Sequence, residues 1–93
     1  MAKKASNSSS PVHAVVGISA EKAGALLETL TARELEIAQL MATGEKNKII
    51  AAKLKISTKT LDIHRANMKW KLKTRGPVDV ARIVFAKALG EIA

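Results

Sequence analysis

The chain has 93 residues, a net charge of +8 and no Cys, a size that allows one small domain with a modest core. The missing Cys excludes a disulfide framework and thiolate metal sites, and two His, His13 and His64, are too few to hold a metal alone. No apolar stretch approaches a membrane span, and Lys3 and Lys4 have no apolar run behind them, so the start does not read as a signal peptide and a cytoplasmic protein is expected.

Residues 1–18 are rich in Ser, Lys and Ala and read as a flexible tail or linker. In residues 19–29, Ser19 is placed to cap a helix from Ala20 to about Thr29, with Ala23, Leu26, Leu27 and Leu30 at helical spacing. This segment reads as a linker helix, either a connector or the end of a linker from an upstream domain. The domain proper takes residues 30–93. Thr31 followed by Glu34 is a capping box that opens a helix over residues 32–43, with Leu30 and Leu35 placed as a hydrophobic staple and Gly44 as its stop.

Asn47 is placed to cap a short helix over residues 47–54, which turns Ile50, Ala51 and Leu54 inward. Lys55, Ile56 and Ser57 make a turn. Ser57 then caps a longer helix, residues 58–72, with Leu61, His64, Met68 and Leu72 on one stripe. His64 reads as a packed, hydrogen-bonded core residue and Trp70 as a plug for the domain or an interface edge. Pro77 suits the first turn of a last helix that runs to about Leu89. No strand pattern of any length is present. The fold expected is all-α, a four-helix bundle containing a helix-turn-helix.

Between residues 46 and 75 ten Lys and Arg face a single acid, Asp62. Such density suits a polyanion, nucleic acid first, although a solvated helix face has the same composition. Asn47 and Lys48, at a helix start, are placed to hold a phosphate. Ser57, Thr58 and Thr60 offer hydroxyls and free N–H groups at the next helix start, and Lys59 and Lys69 add charge along groove walls. Arg65 is the one side chain near the outer face able to pair bidentately with guanine, and whether it meets a base or a phosphate stays open. Asp62 could accept from cytosine N4 or pair locally with Lys59 or Arg65.

Several spaced blocks, L-T-A-R-E from Leu30, N-K-I-I-A from Asn47, I-S-T-K-T from Ile56 and I-H-R-A from Ile63, resemble the LuxR/FixJ-type (GerE-like) DNA-binding domain over residues 30–84. The spacing after Leu72 is most similar to the FixJ-like response-regulator branch. The resemblance implies a transcription regulator of four helices, with residues 58–72 as the recognition helix and Asp62, Ile63 and Ala66 where family members touch base edges. It also implies a homodimer on double-stranded DNA, paired through the last helix, and RNA polymerase as a candidate partner. In two-component members a phosphorylated N-terminal receiver domain releases this domain. No receiver fits into the residues before Leu30, so an excised output domain or a stand-alone regulator is expected.

The last helix carries Val80, Ile83, Val84, Phe85, Ala88 and Leu89, with little polar surface besides Asp79, Arg82 and Lys87. A helix apolar on two sides needs two covers, the core and a second copy, and the dimer surface expected is Val80, Ile83, Val84 and Lys87. No nucleophile–base pair, carboxylate dyad or phosphate loop is found, so neither an enzyme nor a cofactor is expected. The competing readings are a sigma-factor-like helix-turn-helix and a protein-interaction module that binds DNA weakly.

Overall fold

A computed structural model describes residues 17–92, and within them the chain forms five α-helices and no strand. These are α1 (Ala20–Leu27), α2 (Ala32–Ala42), α3 (Asn47–Leu54), α4 (Thr58–Leu72) and α5 (Pro77–Ile92). Residues 1–16, most of the expected tail, lie outside the described residues, as does His13.

Local chemistry sets the helix starts. Ser19, Thr31 and Ser57 have extended backbones, and their hydroxyls accept the N–H of Lys22, Glu34 and Thr60 respectively. The box at Thr31 is complete, because Glu34 Oε1 also accepts the Thr31 N–H at 2.9 Å. At α3 the expectation fails. Lys46 stands in the cap position without a side-chain bond, and Asn47 is the first helical residue. Asn47, one position inside the cap, accepts a bond from another helix instead.

Three helix ends share one device. Gly44, Lys55 and Lys73 adopt left-handed backbone, with φ of 85°, 57° and 55°. In each case the next N–H reaches back five residues, to Leu40, Ala51 and Lys69. Glycine is the usual occupant of that position, so Gly44 is ordinary. The two lysines accept a backbone that costs a side chain about 1 kcal/mol or more.

Ile37, Ile50, Leu61 and Met68 are fully buried and lock α2, α3 and α4 together, joined by Ala38, Met41, Ala51 and Leu72. α5 lays Val80, Ile83 and Ala86 into the same core. α1 packs most closely on α5, through Ala23 and Leu27. Near its end the approach is very tight, and a Cβ at Gly90 would fall 2.1 Å from Ala20 Cβ.

Three readings change here. Val80 and Ile83 are 3% and 5% exposed, so they serve the core and are closed to a partner. His64 is only half-buried, on the edge of the α4 stripe rather than in it. Trp70 plugs nothing, being 83% exposed.

Candidate nucleic-acid interface

Helical periodicity divides α4 into two sides. Leu61, Met68 and Leu72 point into the core, and on the opposite side Lys59, Ile63, Ala66 and Trp70 fall in one exposed row at spacings of four, three and four. Asp62 and Lys69 flank the row and are exposed. The packing of α3 against α4 across the Lys55–Ile56–Ser57 turn holds this row outward.

The two helix starts meet at one place. Asn47 Oδ1 accepts from Arg65 Nη1, tying the first residue of α3 to the middle of α4. Arg65 is half-buried and held against Asn47 at the start of α3. Ser57 is also engaged, accepting the Thr60 N–H and donating its own O–H to Thr60 Oγ1, both at 3.0 Å. Thr58, Lys59 and Lys48 are exposed.

Cations on this side are largely unneutralised. Lys53 pairs with Glu45 at 2.8 Å and Lys71 with Glu34 at 2.7 Å. Among the described residues, Lys46, Lys48, Lys55, Lys59, Lys69, Lys73 and Arg75 have no carboxylate within ion-pair distance. Asp62 likewise has no cationic partner there, so the local pair with Lys59 or Arg65 is absent. Arg75 lies with Asp62, Arg65 and Lys69 along a cleft between α4 and the start of α5. The sequence marked Arg75 only as one charge in a run, and its place beside the α4 row comes from the fold.

Lys71 belongs to the scaffold. Its ammonium meets Glu34, which is 3% exposed. Burial pushes the Glu34 carboxyl up, but the Lys71 ammonium and the Thr31 N–H and hydroxyl together outweigh it and hold the group below the ordinary glutamate value.

On α5, Val84 and Lys87 are half-buried and border a groove shared with Gly24, Leu27 and Leu35 of α1 and α2. The apolar residues of α5 that face outward are Val78, Phe85, Leu89 and Ile92. Among the described residues no group of three His, Asp or Glu could hold a metal, and no helix is long and apolar enough to cross a membrane.

Residues 28–84 match the family described as bacterial regulatory proteins, luxR family. The transcriptional regulatory protein UhpA of Escherichia coli is 43% identical over 58 residues, 62% of this chain and 30% of UhpA. The transcriptional regulatory protein FixJ of Rhizobium meliloti is 36% identical over 66 residues, 71% of this chain and 32% of FixJ. The oxygen regulatory protein NreC of Staphylococcus epidermidis is 39% identical over 62 residues, 67% of this chain and 28% of NreC. The chain thus spans about a third of the length of these curated relatives. No solved structure matches it.

Proposed function

The chain belongs to the luxR family of bacterial regulatory proteins, and from that premise we propose that it binds double-stranded DNA sequence-specifically to regulate transcription in the cytoplasm. The observation that carries this is the exposed row of α4, set opposite the core stripe and surrounded by unpaired lysines. α4 enters the major groove, with Asp62, Ile63 and Ala66 toward base edges. Asn47, Lys48, Thr58, Thr60, Lys59 and Lys69 hold the flanking phosphates, with Ser57 setting the helix start and Arg65 reaching the backbone beside Asn47.

One helix reads only a few base pairs, so the working form is a homodimer on DNA. Its contact is the outward row of α5, Val78, Phe85 and Leu89, with Val84 and Lys87 at the margin. A receiver domain, where one is attached, joins through α1, and RNA polymerase is a candidate partner of the bound complex. The test is binding to random and selected duplexes across a salt series. Affinity should fall with a log–log slope near −0.9 for each phosphate neutralised. A flat response would favour the protein-interaction reading, for which the apolar row of α5 is the supporting feature.

A further inference from the structure

Trp70 is the only Trp in the chain, and it is 83% exposed. Tryptophan is on average a well-buried residue, and one standing free on a small domain leaves a large apolar ring in water. Its position is specific. It continues the row Lys59, Ile63, Ala66 on the outer side of α4, diametrically away from Leu61 and Met68. It lies one turn past Ala66, about 6 Å along the helix axis, and about 16 Å past Lys59. The major groove is about 12 Å wide, so a helix whose first half reads bases brings Trp70 to the rim rather than to the base edges.

The surroundings suit that rim. Ala66, Lys69, Lys73 and Thr74 line a shallow hollow beside the indole. Neither Lys69 nor Lys73 has a carboxylate partner among the described residues. Lys73 is placed there by its left-handed backbone, φ 55°. An indole offers one donor, Nε1–H, and no acceptor, which matches a phosphate oxygen and not another cation. Two positive side chains around the ring would repel the same patch of a second copy, so the complementary occupant is a polyanion.

We propose that Trp70 is a further DNA contact, its Nε1–H donating to a phosphate and its ring lying on the adjoining sugar at the wall of the groove. This rests on the duplex-binding reading above and adds to it a position that strengthens binding without reading sequence.

Because the chain has one Trp and no Tyr, its emission reports on this residue alone. The full chain is titrated into a fluorescein-labelled duplex too short to seat two copies, with dye anisotropy and tryptophan emission read together. The expected result is a change in emission and a several-fold loss of acrylamide access that follow the anisotropy curve. Trp70→Ala should weaken binding to selected and random duplex alike by several-fold with an unchanged melting temperature, and Trp70→Phe should lose part of that. A rise in anisotropy with Trp70 still open to acrylamide, or full affinity in Trp70→Ala, overturns this contact and leaves the duplex-binding reading intact. Absence of any anisotropy change overturns both.

Discussion

Glu34 does two jobs with one carboxylate, completing the cap of α2 and taking the Lys71 ammonium from α4 at 2.7 Å. Its folded pKa lies below the ordinary value of 4.5. The stabilisation is therefore fully present above the unfolded carboxyl pKa and is lost as pH falls through the lowered folded one. Thermal melts from neutral pH into acid should show this loss below about pH 4.5. Glu34→Gln should cost about 1–3 kcal/mol at neutral pH, by leaving a buried network incomplete, and should flatten the acid limb. An acid limb identical to the parent's would show that other carboxylates set it. Half of this arrangement is legible in the sequence, since Thr31 and Glu34 are three residues apart and a capping box is local. Lys71 is not, because a partner 37 residues away is supplied only by the packing of α4 on α2. The same holds for Arg65, whose tie to Asn47 spans 18 residues.

At the scale of elements, the helix starts at Ser19, Thr31 and Ser57 follow from side chains that sit beside the backbone they cap. The ends at Lys55 and Lys73 do not, since lysine gives no signal for a left-handed residue. α5 is ambiguous for another reason. It is apolar on most of its circumference, and what decides between core and surface is where α1 and α2 lie against it. That placement turns Val80 and Ile83 inward and leaves Val78, Phe85 and Leu89 out. The α1–α5 contact depends on the missing side chain at Gly90. Gly90→Leu should push α1 away from α5, exposing Ala23 and Leu27 and making α1 the preferred site of limited proteolysis, while α2–α4 stay folded. Cleavage no faster than in the parent would mean that the two helices shift apart without separating.

Taken as a whole, the molecule carries most of its unpaired cations on and beside α3 and α4 and its outward apolar row on α5. Pairing through α5 would set two α4 helices about 34 Å apart, one turn of duplex, and the selected site should be an inverted repeat. Phe85→Glu tests this better than a change at half-buried Val84, because Phe85 is exposed and a folded monomer is expected. Its binding to a full site should drop far more than its binding to a half-site. Equal binding by parent and variant on both sites would remove α5 as the dimer surface.

The approach of Ala20 to Gly90 also orders events in time. α2, α3 and α4 are joined by short turns, so their contacts close small loops and can form early. The α1–α5 contact must bring together positions 20 and 90, closing nearly the whole described chain. By loop-closure entropy such a long-range contact is expected to form late. The helix that leads into the fold is therefore expected to dock last, and until it does the side of α5 that meets α1 stays bare.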